Sequence, residues 1–123
     1  MALNVLVVDD DFINRKLLEN ILKKHDEVVE ILEAENGEDA LEKIASNPQI
    51  NMILLDIIMP IVDGMEFLKK FRADMKYTHI PVIILSTDDT RKTEALNYGA
   101  NDFLRKPIKE DDLKVKIQMW TAD

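Results

Sequence analysis

The stretch ILLDIIMP, residues 53–60, places a charged residue where a buried strand should still be apolar. Its first three residues are large and aliphatic, which is typical of a strand that is buried on both faces. Asp56 follows them directly, and two more apolar residues come before Met59-Pro60. Because burial of an unpaired carboxylate is strongly unfavourable, Asp56 indicates a functional site at the end of this strand.

The composition is that of one acidic domain. The chain has 123 residues, of which 46% are hydrophobic and 33% are charged, enough for a single core and a solvated surface. Its net charge of −8 argues against direct binding of nucleic acid or of an anionic membrane. The chain contains no cysteine, which excludes disulfides and thiolate chemistry.

The first residues of the sequence are not expected to act as an export signal. The segment MALNVLVV has no basic region before its short apolar run and no cleavage-site pattern, so it does not resemble a signal peptide. No apolar run in the sequence is long enough to span a bilayer. We therefore expect a cytoplasmic location and no membrane partner.

Short apolar runs alternate with amphipathic segments along the whole chain. Five runs predict strands, and each of them is followed by a segment in which apolar residues have helical spacing. The predicted strands are Val5–Val8, Val28–Ala34, Met52–Leu55, Val82–Leu85 and Asp102–Arg105. This alternation predicts an α/β fold with a parallel sheet and right-handed crossovers.

The helical segments also predict which side chains face the core. Asp11 is the predicted N-cap of the first helix, and Asn14 and Arg15 are expected on that helix's surface. The expected core face of the first helix consists of Ile13, Leu17, Leu18, Ile21 and Leu22. The expected core stripe of the last helix consists of Leu113, Ile117 and Trp120. Thr90–Tyr98 is predicted as a short polar helix that Gly99 ends.

Polar residues follow four of the predicted strands, at the edge where such sheets bind ligands. They are Asp9, Asp10 and Asp11 after the first strand, Asp56 after the third, Ser86 and Thr87 after the fourth, and Lys106 after the fifth. Clustered carboxylates repel each other unless a cation relieves them, and oxygen-only ligands favour a hard cation such as Mg²⁺. A hydroxyl and an ammonium on the same edge would bind an anion. The whole set therefore indicates a site that receives a phosphoryl group.

Five short motifs resemble the receiver domain of two-component response regulators, and together they span nearly the whole chain. The motifs are VVDD at residues 7–10, LLDIIMP at 54–60, LS at 85–86, GANDF at 99–103 and KP at 106–107. The resemblance implies one receiver domain over residues 1–123. It also implies a single doubly wound, flavodoxin-like sheet of five parallel strands in the order 2-1-3-4-5, with helices on both faces.

The resemblance further implies that Asp56 is the phosphoacceptor. Its donor would be a phosphohistidine of a sensor histidine kinase or of a histidine phosphotransfer domain. The implied ligands of Mg²⁺, for which Mn²⁺ could substitute, are Asp10, Asp56 and the backbone carbonyl of Ile58. Asp9 would act through water.

Four further residues receive roles by the same resemblance. Ser86 and Lys106 would each contact a phosphoryl oxygen, and Ser86 and Phe103 would form the conformational switch. The peptide bond between Lys106 and Pro107 would be cis, an isomer that proline makes accessible.

A partner surface is expected on the fourth helix, the fifth strand and the fifth helix, where many members of the family form a homodimer or bind an output domain. Val115 and Met119 lie at i and i+4 of the fifth helix, away from its core stripe. An exposed apolar pair is modest support for such an interface.

Two other functions fit part of this pattern. Asp9-x-Asp11 after a buried strand is similar to the nucleophile motif of haloacid-dehalogenase-like phosphatases, with Asp9 as the nucleophile. A module that binds a partner without being phosphorylated is the other alternative. The favoured interpretation is a signalling switch, which catalyses its own phosphorylation and dephosphorylation but is not an enzyme that acts on other substrates.

Overall fold

A computed structural model describes residues 2–57, 59 and 63–121 of the chain, and a parallel sheet runs through its centre. Within these residues the strands are β1 (Leu3–Val8), β2 (Val28–Ala34), β3 (Met52–Asp56), β4 (Val82–Ser86) and β5 (Asp102–Arg105). Their order in the sheet is β2-β1-β3-β4-β5, and all neighbouring strands are parallel. The predicted α/β fold and strand order are confirmed.

Helices cover both faces of the sheet. In the described part of the chain they are α1 (Phe12–Leu22), α2 (Gly37–Ser46), α3 (Gly64–Ala73), α4 (Lys92–Asn97) and α5 (Glu110–Thr121). The predicted N-cap of α1 is present, because a carboxylate oxygen of Asp11 accepts a hydrogen bond of 2.8 Å from the backbone N–H of Ile13. None of these helices is long and apolar enough to cross a membrane.

Successive residues of the central strands point to opposite faces and build two separate cores. Leu6, Ile53 and Leu55 belong to the core beneath α2, α3 and α4. Their neighbours in β1 and β3, such as Val7 and Leu54, belong to the core beneath α1 and α5. Both faces of β3 are therefore buried, which explains why its sequence is continuously apolar up to Asp56.

The structure corrects part of the expected core face of α1. Leu18 and Leu22 are buried, whereas Ile13 is 63% exposed and Leu17 is 57% exposed. Residues 13 and 17 lie about one turn apart on a flank of the helix that Leu18 and Leu22 do not share. The apolar stripe of α1 is therefore wider than its contact with the sheet, and its outer part faces solvent.

Two further expectations are corrected at the C-terminal half. Trp120 is 37% exposed instead of buried, and its indole N–H donates a hydrogen bond of 2.8 Å to Oδ2 of Asp102. The predicted helix Thr90–Tyr98 is divided into a 3₁₀ turn, Asp89–Arg91, and the six-residue helix α4. Gly99 follows α4 with a φ of +108°, a conformation that glycine tolerates better than any other residue.

The N-terminus of α3 lies directly against the end of β3. The N–H of Gly64 donates a hydrogen bond of 2.8 Å to the backbone carbonyl of Ile57. A Cβ atom at position 64 would lie 2.5 Å from the backbone oxygen of Asp56, which is closer than such atoms can approach. Only glycine therefore lets α3 start this close to the strand end that carries Asp56.

We predict that Gly64→Ala destabilises the protein by about 1 to 3 kcal/mol, the usual range for overpacking at a tight contact. Alanine otherwise favours a helix over glycine, so a loss of stability would identify the contact with the backbone of β3 as its cause. Urea unfolding followed by circular dichroism measures the change. Glu66→Ala, at an exposed position of the same helix turn, is the control. Equal stability of Gly64→Ala and the wild type would contradict this account of the α3–β3 contact.

Candidate functional site

Three carboxylates meet at the carboxyl ends of the adjacent strands β1 and β3. Asp9, Asp10 and Asp56 each offer an oxygen atom, and these atoms all lie within 4.8 Å of one another. Asp9 is 1% exposed and Asp56 is 9% exposed, whereas Asp10 faces solvent. We call these three residues the acidic cluster. Because β1 and β3 are parallel neighbours, residues that are separated by more than 40 positions in sequence converge here.

Lys106 brings a positive charge to this acidic cluster. Its Nζ lies 3.0 Å from Oδ2 of Asp9 and 3.6 Å from Oδ2 of Asp56. The backbone N–H of Lys106 donates a hydrogen bond of 2.9 Å to the carbonyl of Ser86, which holds the end of β5 beside the end of β4. The peptide bond from Lys106 to Pro107 is cis.

Ser86 is the last residue of β4 and is buried. Its Oγ accepts a hydrogen bond of 3.1 Å from the backbone N–H of Asp88. A hydroxyl that accepts one bond still has its own proton to donate. Ser86 can therefore donate to an anion without releasing the loop that follows it.

The three consecutive aspartates at the end of β1 have separate roles in the fold. Oδ1 of Asp9 accepts a hydrogen bond of 2.9 Å from the N–H of Asp11. Asp11 in turn caps α1, so its carboxylate is directed to the helix and not to the acidic cluster. This arrangement leaves Asp9 and Asp10 as the two carboxylates that β1 contributes to the site.

The donor atoms of the acidic cluster suit a hard divalent cation. Carboxylate oxygens are the ligands that Mg²⁺ prefers, usually with several waters. One lysine offsets only part of the charge of three carboxylates held within 4.8 Å, so a further cation would relieve their repulsion. Each of the three carboxylates has an oxygen atom that could bind such a cation. The expected ligand at Ile58 lies outside the described residues.

Phe103 lies on β5, three residues before Lys106. The residue is 7% exposed and belongs to the core on the α2, α3 and α4 face of the sheet. A conformational switch at this residue would therefore exchange one set of packing partners for another, because the ring is buried from the outset.

The helical pattern did not predict that α1 exposes apolar side chains, because it assigned Ile13 and Leu17 to the core. Phe12 is 58% exposed, like Ile13 and Leu17 nearby on the helix, and we call these three exposed apolar side chains the α1 face. A groove of about 450 Å³ runs from this face to the candidate site. It is lined by Asn14, Leu17, Leu18, Ile21, Thr87, Lys106, Pro107 and Ile108. The sequence did carry a signal, since an 11-residue helix with this many apolar residues has more of them than one buried stripe accommodates.

The predicted partner surface on α5 is exposed, as expected. Val115 and Met119 are each 56% exposed, and together we call them the α5 face. Beside them, Asp102 joins β5 to α5. Its Oδ1 accepts a hydrogen bond of 2.8 Å from the N–H of Phe103, and its Oδ2 lies 2.8 Å from the indole nitrogen of Trp120 and 3.0 Å from Nζ of Lys116.

Comparison with known proteins identifies the relatives of this fold. The family model described as the response regulator receiver domain matches residues 5–118. The rice two-component response regulator ORR5 is 36% identical over 114 residues, which are 91% of this chain and 84% of that protein. A chemotaxis protein CheY homolog of Campylobacter jejuni is 34% identical over 120 residues, which are 94% of this chain and 90% of the relative.

A solved structure gives the same result. The crystal structure of a putative response regulator from Chloroflexus aurantiacus superposes with a TM-score of 0.91 at 28% sequence identity. The superposition covers 100% of both chains.

The Asp102 contacts predict a pH dependence of stability. Burial would raise the pKa of Asp102, but the hydrogen bonds from Trp120, from the N–H of Phe103 and from Lys116 outweigh it and hold this pKa below its ordinary value of 3.8. A carboxyl group with a lowered pKa in the folded state stabilises the fold above its unfolded pKa, and this contribution is lost as the pH falls through the folded pKa.

We therefore expect Asp102→Asn to be less stable than the wild type at pH 7, by about 1 to 2 kcal/mol, as is usual for charge-assisted hydrogen bonds. The difference should shrink as the pH falls below about 4. Urea unfolding by circular dichroism between pH 3 and pH 7 measures it. Glu42→Gln, at an exposed site on α2, is the control and should show no such trend. A difference that stays constant over this range would refute the role given to the Asp102 charge.

Proposed function

Because the chain belongs to the response regulator receiver domain family, we propose that it is a signalling switch that accepts a phosphoryl group on Asp56. One observation supports this proposal above all. Asp56 ends a strand that is buried on both faces, and it lies within reach of two other carboxylates and of Lys106. A rigid strand end of this kind can hold one carboxylate oxygen in line with a phosphorus atom.

The donor in this proposal is a phosphohistidine of a histidine kinase or of a histidine phosphotransfer domain. An oxygen of the Asp56 carboxylate forms the new bond to phosphorus, and the bond from phosphorus to the histidine nitrogen breaks. The electron pair of the broken bond remains on the imidazole. The product on this chain is an acyl phosphate, in which the acceptor oxygen has lost its negative charge and the phosphoryl oxygens carry the new charge.

The residues around Asp56 supply positioning and charge. Asp10 and Asp56 would hold Mg²⁺ directly, with Asp9 acting through water, and Mn²⁺ could substitute. When bound, the metal neutralises negative charge that builds up on the transferred group. The ammonium of Lys106 would pair with one phosphoryl oxygen after leaving Asp56, and the Ser86 hydroxyl would donate to another. Movement of Ser86 and Phe103 would then transmit the conformational change to the rest of β4 and β5.

The same site would also remove the phosphoryl group, by attack of water on phosphorus. The protein would thus act only on its own acyl phosphate, as a switch does, and not as an enzyme for other substrates. Its output would depend on a second conformation that the phosphoryl group stabilises more than the first.

The input and output surfaces are proposed to be separate. The α1 face and its groove reach the acidic cluster through Lys106, so a phosphohistidine partner that packs on α1 could present its imidazole to Asp56. The α5 face, together with α4 and β5, is proposed as the surface for a homodimer or an output partner. No direct contact with nucleic acid or membrane is proposed.

A phosphatase that uses Asp9 as its nucleophile has less support. Oδ1 of Asp9 is engaged by the N–H of Asp11, Oδ2 lies 3.0 Å from Lys106, and the residue is 1% exposed. These contacts hold both oxygens of the Asp9 carboxylate, whereas a nucleophilic oxygen has to approach phosphorus in line. A module that binds partners without phosphorylation would give no use to the acidic cluster.

We predict that Asp56→Asn abolishes labelling of the protein by acetyl phosphate in the presence of Mg²⁺, because the amide cannot form the acyl phosphate. Reduction of the labelled wild type with borohydride, followed by peptide mass spectrometry, should place the modification on Asp56. Asp9→Asn should slow labelling without moving the site, and Asp74→Asn, at a helix cap whose side chain is 42% exposed, should label like the wild type. Modification of Asp9 in the wild type would instead support the phosphatase alternative.

We also predict that the two faces can be separated by mutation. Ile13→Glu on the α1 face should slow transfer from a phosphohistidine partner about tenfold, equivalent to about 1.4 kcal/mol, because a charge replaces an apolar contact. Labelling by acetyl phosphate, which needs no docking, should stay unchanged. The rate of phosphoryl transfer is measured with a purified, phosphorylated phosphotransfer domain, in reactions that are stopped at successive times.

Met119→Lys on the α5 face is the matched variant on the other surface. It should leave phosphotransfer unchanged and weaken self-association or output binding of the protein activated with beryllofluoride, measured by analytical ultracentrifugation or pull-down. If Ile13→Glu leaves transfer at the wild-type rate, or Met119→Lys slows it, the assignment of the faces is wrong.

A further inference from the structure

Arg15 on α1 connects the end of β1 to the strand β2. Its Nη1 donates a hydrogen bond of 2.8 Å to the backbone carbonyl of Asp9, and its Nε lies 2.9 Å from Oε1 of Glu33 on β2. The side chain is only 13% exposed, although the sequence placed it on the helix surface. A long cationic side chain is rarely buried to this extent unless its contacts have a structural use.

Glu33 anchors Arg15 from the other side. It pairs with Val7 of β1 in the sheet, and its second carboxylate oxygen lies 2.9 Å from Nζ of Lys16. Burial would raise the pKa of Glu33, but the hydrogen bonds from Lys16 and Arg15 outweigh it and lower this pKa, so the carboxylate stays charged at neutral pH. Arg15 is therefore held between a fixed carboxylate and the end of β1.

The hydrogen bond from Arg15 to the Asp9 carbonyl affects the orientation of both Asp9 and Asp10. The peptide group that joins Asp9 to Asp10 is planar, so the direction of its C=O fixes the orientation of the whole group. That group carries the Cα atoms from which both carboxylates of β1 project toward Asp56. A rotation of this peptide group would move Asp9 and Asp10 together, in a site whose oxygen atoms lie within 4.8 Å of one another.

We propose that Arg15 is a positioning residue that orients Asp9 and Asp10 for binding of a divalent cation, with Glu33 fixing the guanidinium. This inference rests on the proposed function, since it concerns the same acidic cluster. It assigns a role in cation binding to two residues, Arg15 and Glu33, that do not themselves contact the cation.

Loss of the Arg15 charge and loss of its positioning role predict opposite changes in Mg²⁺ affinity, which makes the inference testable. Arg15 is a cation close to a cation site, so removal of its charge should strengthen Mg²⁺ binding if charge were all that mattered. Loss of orientation should weaken Mg²⁺ binding, as loss of outer contacts does at other metal sites. Lys16 is the matched control, because it also binds Glu33 but does not contact the Asp9 carbonyl.

The experiment is a Mg²⁺ titration of the purified whole chain at pH 7. Isothermal titration calorimetry measures the affinity, and the NMR shifts of the Asp9 and Asp10 amides monitor the site. We expect Arg15→Ala to bind Mg²⁺ roughly tenfold more weakly than the wild type. Lys16→Ala should stay within about twofold of the wild type, or bind slightly more tightly. Arg15→Lys keeps the charge but cannot join the Asp9 carbonyl to Glu33, so it should also bind Mg²⁺ more weakly than the wild type.

Urea unfolding without metal separates these effects from stability, since Arg15→Ala and Lys16→Ala each lose a contact to Glu33. If Arg15→Ala does not fold, Arg15→Lys decides, because only orientation differs at constant charge. Wild-type affinity in Arg15→Lys or in a folded Arg15→Ala overturns the inference and leaves the proposed function intact. Equal weakening by Lys16→Ala and Arg15→Ala overturns it as well. A wild type that binds no Mg²⁺ overturns both the inference and the metal site of the proposed function.

Discussion

Repulsion between carboxylates at the ends of β1 and β3 is the constraint on which the rest of the site depends. Two buried aspartates and one exposed aspartate bring their oxygens within 4.8 Å, a distance at which like charges interact strongly in a protein. Lys106 offsets part of this repulsion by its contacts to Asp9 and Asp56. The fold therefore has to hold the strand ends in place against a force that would separate them.

Different contacts hold each strand end. On β1, Asp11 binds the Asp9 carboxylate and caps α1, while Arg15 binds the Asp9 carbonyl. On β3, the absence of a side chain at Gly64 lets α3 start against the backbone of Asp56. In each case the first turn of a helix fixes the strand that precedes it. The short strand-to-helix connections of this parallel α/β fold thus hold the site residues in place as well as joining the elements.

Much of this arrangement could be predicted from the sequence, because it depends on local patterns. The bounds of β5, the cap at Asp11 and the gathering of aspartates at strand ends all follow from periodicity and from the parallel topology. The exposure of Ile13 depends instead on how α1 tilts on the sheet, which no local pattern specifies. The burial of Arg15 depends on the register that brings Glu33 of β2 beside β1, a relationship between positions that are 18 residues apart.

The placement of these elements also bears on how the proposed signal could travel. The acidic cluster lies at the ends of the adjacent strands β1 and β3, and Lys106, which follows β5, reaches it from the other side of β4. Toward α1 the path is short and rigid, through Asp9 and Arg15. Toward α5 it passes along β5, where Asp102 binds the N–H of Phe103, the indole of Trp120 and the ammonium of Lys116. A change of charge at Asp56 would act first on Lys106, which lies 3.6 Å from it and three residues from Phe103. Movement of Phe103 would then strain contacts that converge on the Asp102 carboxylate, and through Trp120 and Lys116 this strain would reach α5.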